Sequence, residues 1–227
     1  MPTQYRIGTS DPVIQNDPGA GLWNSKPKTQ KMLLLKSEIE GHLPHAFLVI
    51  GDDAAKHLFH FFRNTGSDYA IDLEDMINDV PDAKRRYDDE LEKAKRYVET
   101  LPVGTHNITT GSVSSGYNQK NESWNWYYAI GGYNYWIKGV ATVLGFNSNG
   151  ISTYRLEYEY KARDRYNWDQ GKSVTIFSVE IKDAFMAEFH RQGLAKEFTM
   201  NGSIKAAIEW DSQSPYSHKM VSAPTGR

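Results

Sequence analysis

The sequence predicts an α+β protein in which N-terminal helices pack against a C-terminal antiparallel sheet that carries one short helix. In residues 30–100, apolar side chains recur at spacings of three and four, which is typical of helices that bury one face. After Leu101 and Pro102 the period changes to two, with turn residues between runs of β-branched and aromatic side chains. This second pattern is typical of strands with one buried face.

The same patterns predict the domain organisation. Residues 1–29 are rich in proline and glycine and show little periodicity, so we expect an irregular arm that could serve as a delivery segment. Residues 30–100 form the predicted helical region, and residues 101–227 form the mainly β region. A chain of 227 residues can bury one sizeable core, so residues 30–227 are interpreted as one globular unit.

Three helices are predicted in the helical region. The first covers residues 31–39, and the second begins after the turn at Gly51 and continues through Phe62. The third covers residues 81–99, because Pro81 suits a first helical turn and apolar residues follow at helical spacing. Its other face is charged, and we interpret that face as a solvated surface supported by ion pairs four residues apart.

Four strands are predicted in the β region. The clearest one alternates aromatic and aliphatic residues with charged ones, so one face fits a core and the other fits water. The predicted strands cover residues 105–114, 135–144, 154–160 and 204–210. Between the last two, Asp183 is expected to begin a short helix that Gly193 ends.

The composition excludes several classes of function. The chain has no cysteine, which excludes disulfide scaffolds, thiolate zinc sites, iron–sulfur clusters and cysteine nucleophiles. Its net charge of -2 provides no global positive field, so we expect no nucleic-acid partner. The first residues do not resemble a secretory signal, and we expect synthesis in the cytoplasm without a signal peptide.

The segment of residues 163–171, which follows the clearest predicted strand, is dense in polar groups. It contains Asp164, Tyr166, Asn167 and Asp169. Asp164 and Asp169 could share a Mg²⁺ ion through carboxylate oxygens, as in sites that act on phosphates. The alternative is a polar turn that links two strands.

A second candidate lies on the short helix. His190 can exchange protons near neutral pH, and the adjacent Arg191 can bind phosphate oxygens. Such a pair could supply an acid and an anion clamp. The alternative is a histidine at a helix end beside a surface arginine.

Two further patterns have mainly structural interpretations. The aromatic stretch of residues 124–136 fits a sheet core, sugar or base stacking, or contact with a bilayer interface. His57 and His60 lie three residues apart on a predicted helix and could ligate a metal. Because no HExxH or comparable third-ligand pattern accompanies them, structural roles are favoured for both.

The order of these features over residues 57–210 resembles that of the colicin M family, bacteriocins that degrade the peptidoglycan precursor lipid II. The most specific element is Asp164-Arg-Tyr166-Asn167 after a strand, followed by His190-Arg191 before the final strand. Asn167 stands where the family has a second aspartate, and the His-Arg pair lies farther downstream here. The resemblance implies that the sheet is open and β-barrel-like.

The resemblance also implies a function. The chain would be an antibacterial toxin that hydrolyses the undecaprenyl-pyrophosphate linkage of lipid II with Mg²⁺. Asp164 would activate water or bind the metal, His190 would act as acid or base, and Arg191 would stabilise phosphoryl charge. Tyr166 and Asn167 complete the implied catalytic set, with Tyr166 orienting its neighbours.

The implied partners follow from that activity. They are lipid II at the membrane surface, a cognate immunity protein, and a secretion-apparatus carrier that could deliver the toxin to the periplasm of a target bacterium. Two alternatives remain open. One is a non-enzymatic toxin that disrupts membranes through its aromatic stretch, and the other is an adaptor or immunity-type binding protein.

Overall fold

The structure is a computed structural model that describes residues 4–15, 18–117, 119–168, 173–176 and 179–226. Its described elements combine helices with an eight-stranded sheet, and the predicted α+β class is confirmed. The sheet is open, as expected. One cluster of buried apolar side chains extends from Ala20 to Trp210, and it joins the helical and β regions in a continuous core.

The described helices agree with the predicted ones where the apolar spacing is regular. They are α1 (Gln30–Ile50), α2 (Asp52–Phe62), α3 (Leu73–Asp79), α4 (Pro81–Val98), α5 (Trp124–Ala129) and α6 (Asp183–Arg191). Helix α1 is longer than predicted and continues through Pro44. Its buried residues Leu43, Ala46 and Ile50 continue one face at spacings of three and four, and this packing favours helix despite the proline.

The strands form one mixed sheet and a separate hairpin. They are β1 (Tyr5–Ile7), β2 (Tyr69–Ala70), β3 (Gly104–Thr110), β4 (Val113–Tyr117), β5 (Gly132–Leu144), β6 (Thr153–Tyr166), β7 (Ser173–Ile176), β8 (Val179–Lys182), β9 (Phe198–Asp211) and β10 (Lys219–Gly226). The order in the sheet is β1-β3-β5-β6-β9-β10, with β4 beside β5 and β2 beside β9. Only β2 pairs in parallel among these described strands. The hairpin β7–β8 precedes α6.

Two strand predictions are corrected. The predicted strand of residues 105–114 is two strands, β3 and β4, that separate after Thr110 and both pair with β5. Strand β6 continues to Tyr166, because its ladder with β9 extends to the pair Tyr166 and Phe198. Asp164 and Tyr166, predicted to lie in a loop, therefore belong to the strand.

One side of the sheet packs on the helices and holds most of the aromatic core. Tyr158 and Tyr160 of β6 contact Tyr87 of α4. In the aromatic stretch, Trp126 is fully buried and Tyr133 is 1% exposed. This burial favours the core interpretation of the stretch over sugar stacking or bilayer contact for these side chains.

The described part of the arm, residues 4–15 and 18–29, packs against the rest of the chain. Its β1 adds an edge strand beside β3, and the Asp11 carboxylate contacts Lys138 and Lys161 on the outer side of the sheet. Residues 20–29 then run along α6. No helix within the described ranges is both long and apolar enough to cross a membrane.

Candidate functional site

The five residues of the predicted catalytic set lie in two elements. Asp164 and Tyr166 lie among the last three residues of β6, and Asn167 follows the strand directly. His190 and Arg191 are the last two residues of α6. The second predicted metal ligand, Asp169, lies outside the described residues.

The end of β6 directs its side chains to alternate sides. Asp164 lies opposite Met200 of β9, and Tyr166 lies opposite Phe198. The rings of Tyr166 and Phe198 stack with centroids 4.9 Å apart. Burial raises the pKa of Tyr166 well above its usual value, so its hydroxyl stays protonated at neutral pH. Because successive residues alternate, Asp164 projects to the side opposite Arg165.

His190 is buried, with 3% of its surface exposed, and both ring nitrogens are in hydrogen bonds. Nδ1 accepts from the backbone N–H of Glu197 at 3.1 Å, so the ring proton is on Nε2. Nε2 donates to the Gly21 carbonyl at 3.1 Å. Burial lowers the pKa of His190, and the neutral form is favoured. This arrangement holds the ring firmly between the arm and the start of β9.

The Arg191 guanidinium is held rather than free at the surface. Nε donates to the Glu188 carboxylate at 3.0 Å, and Nη1 donates to the Ala20 carbonyl at 3.3 Å. Nη2 donates to the Ala184 carbonyl, also at 3.3 Å. The side chain therefore binds the arm to α6.

The arm also caps the end of α6, where helix carbonyls lack partners within the helix. The backbone N–H of Asn24 donates to the His190 carbonyl at 3.1 Å, and that of Lys26 donates to the Arg191 carbonyl at 2.8 Å. Gly193 follows with a φ of +65°, as predicted for the residue that ends this helix. The Asn24 side chain packs where a Cβ on Gly193 would lie.

Glu197 is the residue that joins these parts, and its side chain is fully buried. Oε1 accepts from the backbone N–H groups of Ala20 at 2.8 Å and Trp168 at 2.9 Å. Oε2 pairs with Arg165 Nη2 at 3.0 Å and lies 4.0 Å from His190 Nε2. One carboxylate thus contacts the arm, the end of β6 and the histidine of α6.

Sequence reasoning missed Glu197. It lies between Lys196 and Phe198 in a short link before β9, and no spacing rule marks a single glutamate there. The one available signal is its position next to an apolar strand, where burial of a charge requires a partner.

The described residues offer limited ligands for a metal. They contain no group of three or more His, Asp or Glu side chains that could hold an ion. His57 Nδ1 bonds to the Ala129 carbonyl at 2.7 Å, and burial lowers the pKa of His57 to about 4. His60 Nε2 bonds to the Ser67 carbonyl at 2.8 Å. Both histidines have the structural contacts expected for them, and Asp164 remains the described carboxylate of the predicted metal site.

The outer side of the sheet has two clefts. The larger, of about 520 Å³, is lined by Lys138, Val140 and Lys205 among others. The smaller, of about 410 Å³, is lined by Lys161 and Arg163 among others and contains part of the arm. Basic and acidic side chains mix in both clefts, so neither has the uniform charge of an anion site.

Comparison with protein-family models, with curated proteins and with solved structures gives no match for this chain. The arrangement of the described residues is therefore the basis for a functional proposal. It brings together a buried carboxylate, a neutral imidazole and two guanidinium groups around the arm, beside a strand that carries Asp164.

Proposed function

We propose that the chain is an antibacterial toxin that hydrolyses the undecaprenyl-pyrophosphate linkage of lipid II and so blocks cell-wall synthesis. The observation that carries the proposal is the position of Glu197. Glu197 contacts Arg165 and Trp168, which flank Tyr166 and Asn167, and lies beside His190, whereas Asp164 projects to the side of β6 opposite Arg165.

In the proposed reaction, Asp164 activates the attacking water, and Tyr166 and Asn167 orient the groups around it. Arg191 stabilises the charge that develops on the phosphoryl oxygens. His190 would relay a proton: Nε2 gives its hydrogen to the leaving oxygen while Nδ1 takes one from water, after the two nitrogens leave their present partners, the Gly21 carbonyl and the Glu197 N–H.

The proposal includes Mg²⁺. Magnesium sites that act on phosphates often use only one or two protein carboxylates, and the Asp164 carboxylate fits this minimal role. The ion would supply positive charge to the pyrophosphate oxygens.

The partners and location are part of the same proposal. The substrate is lipid II at the membrane surface, reached in the periplasm of a target bacterium after synthesis in the cytoplasm of the producer. A cognate immunity protein would protect the producer, and a secretion apparatus could carry the toxin.

The structure gives less support to membrane disruption. That alternative depends on aromatic side chains that can enter a bilayer. Trp126 and Tyr133 are buried in the core, whereas Trp124 is 43% exposed. Leakage of dye from liposomes that lack lipid II would favour it over the enzyme. An adaptor or immunity-type role would be favoured if expression in the periplasm did not lyse the host.

Purified protein incubated with lipid II and Mg²⁺ tests the proposed reaction, with chromatography of the released pyrophosphorylated headgroup. We expect Asp164→Asn to lower the rate by about a hundredfold or more, because the variant cannot act as a base. Asp88→Asn is the control, since Asp88 is an exposed acid of α4 that pairs with Lys84. Absence of headgroup release by the wild type would exclude the reaction, and equal rates in the two variants would exclude the role of Asp164.

A further inference from the structure

We infer that Glu197 is a positioning residue of this site, which fixes the Arg165 guanidinium and the His190 imidazole through its carboxylate; this inference rests on the proposed function. The two carboxylate oxygens divide their contacts. Oε1 accepts from the backbone N–H groups of Ala20 and Trp168, and these bonds hold the arm against the segment that follows β6. Oε2 faces Arg165 Nη2 at 3.0 Å and His190 Nε2 at 4.0 Å.

Glu197 holds the imidazole of His190 from two directions. Its backbone N–H donates to Nδ1 at 3.1 Å, which fixes the tautomer with the proton on Nε2. Its carboxylate lies on the Nε2 side, where negative charge attracts the ring N–H. The Gly21 carbonyl then accepts from Nε2 at 3.1 Å. A small movement of Glu197 would therefore change both the position and the hydrogen bonding of the ring.

The charge of Glu197 points to a role beyond fastening the chain. Burying a carboxylate costs free energy unless it is paired and hydrogen-bonded, and a neutral amide could accept from two backbone N–H groups equally well. Only a carboxylate places a second acceptor toward both Arg165 and His190. Glu197 thus accepts from the main chain through one oxygen and attracts the two site side chains through the other.

This division of contacts makes Glu197→Gln the informative variant. The glutamine retains one oxygen for the backbone N–H groups of Ala20 and Trp168. It replaces Oε2 with an NH₂ donor that faces the donors of Arg165 and His190. We expect the fold to persist while the guanidinium and the imidazole move away from the substituted position.

Glu90→Gln is the matched control. The Glu90 side chain is also fully buried, and it accepts from the Tyr5 hydroxyl at 2.8 Å. It lies on α4 and contacts Lys93 at 3.3 Å. The two variants therefore make the same chemical change at the same burial, but only one of them faces the candidate site.

Two measurements distinguish positioning from structural support. With lipid II and Mg²⁺, we expect Glu197→Gln to lower kcat by about tenfold or more and to change KM by less than about twofold. Nitrogen NMR of His190 should show the Nε2-protonated neutral ring in the wild type, with shifted ring signals in Glu197→Gln. Glu90→Gln should leave both the rate and these signals as in the wild type.

The NMR measurement needs no substrate, so it separates the two proposals. If the wild type does not cleave lipid II but Glu197→Gln shifts the His190 signals, the proposed function fails and the positioning of His190 is supported. If a folded Glu197→Gln variant leaves these signals unchanged, the inference is overturned. Should this variant fail to fold, Arg165→Lys replaces it, because lysine keeps the charge but alters the contact with Glu197. A shift at His190 supports the inference, and an unchanged signal overturns it.

Discussion

Two buried glutamates of this protein, Glu90 and Glu197, differ in the groups that their carboxylates bind. Glu90 and Glu197 both have fully buried side chains. Glu90 accepts from the Tyr5 hydroxyl and so fastens the edge strand β1 to α4. Glu197 accepts from Arg165 and from the main chain of Trp168, and it joins the arm, β6, α6 and β9.

The chemical difference lies in the donors. Burial and the neighbouring Glu90 carboxylate raise the pKa of Tyr5 well above its usual value, so the hydroxyl keeps its proton and donates. At Glu197 the donors include a guanidinium, which stays charged, and two backbone amides that cannot move independently of the chain. Loss of Glu197 therefore leaves a cation and buried amides without this acceptor. Loss of Glu90 leaves the Tyr5 hydroxyl with the Glu90 backbone carbonyl as acceptor and leaves the exposed Lys93 to solvent.

The largest expected change in stability follows from this difference in donors. Glu197→Ala should lower the free energy of unfolding by about 3–5 kcal/mol, the usual cost of removing one partner from a buried ion pair. Glu90→Ala should cost about 1–3 kcal/mol, because the Tyr5 hydroxyl keeps the Glu90 backbone carbonyl as an acceptor at 2.9 Å and the exposed Lys93 can be solvated. Urea titrations followed by circular dichroism measure both. Equal losses would show that the kind of donor does not distinguish the two regions.

A smaller loss of stability is expected from a substitution in the arm next to the Glu197 carboxylate. Gly19 has a φ of +54°, and a Cβ there would lie 2.5 Å from Glu197 Oε2. Gly19→Ala should lower the free energy of unfolding by about 1–3 kcal/mol through backbone strain and displacement of the carboxylate.

Gly21→Ala is the control for this prediction. Gly21 has a φ of +88°, but a Cβ there would meet no atom within 4 Å. Its cost should be backbone strain only, and thermal denaturation should give a higher Tm than for Gly19→Ala. A Tm for Gly21→Ala at or below that of Gly19→Ala would show that backbone strain outweighs the contact with the Glu197 carboxylate.

The sequence predicts the regular elements of this fold well and the contacts of its arm poorly. Helix α4 and strand β6 follow from local period and from Pro81, since each buries one face against the core. Helix α1 is underestimated because Pro44 usually ends a helix, whereas tertiary packing of Leu43 and Ala46 extends this one. The short strands β1 and β2 depend on distant partners and leave no periodic signal.

The candidate site is only partly accessible to such reasoning. The sequence places a histidine at the end of the short helix, and the structure shows that His190 is buried there. Its acceptors and donors come from Gly21 and Glu197, which local periodicity cannot connect. Glu197 has no local signature because its role arises from contacts that exist only in the folded chain.

The smallest expected effect is a loss of stability at low pH through His190. The pKa of His190 is lowered in the fold, first by burial, so the folded protein holds the neutral ring while the unfolded chain takes up a proton near its ordinary pKa of 6.5. The stabilisation is therefore fully present above that pKa and is lost as the pH falls below it. Protonated Nδ1 would also face the Glu197 N–H donor. Tyr5, which donates to Glu90, keeps its proton throughout this range.

We expect His190→Gln to lose less free energy of unfolding than the wild type between about pH 7 and pH 5, because it lacks this titrating ring. Urea titrations at each pH measure the difference. His57, whose pKa burial lowers to about 4, adds a loss of the same sign in both proteins and cancels in the comparison. Glu90→Gln should follow the wild-type dependence, since it keeps the His190 ring. If the free energy of unfolding falls equally with pH in His190→Gln and the wild type, protonation of His190 does not cause the loss of stability.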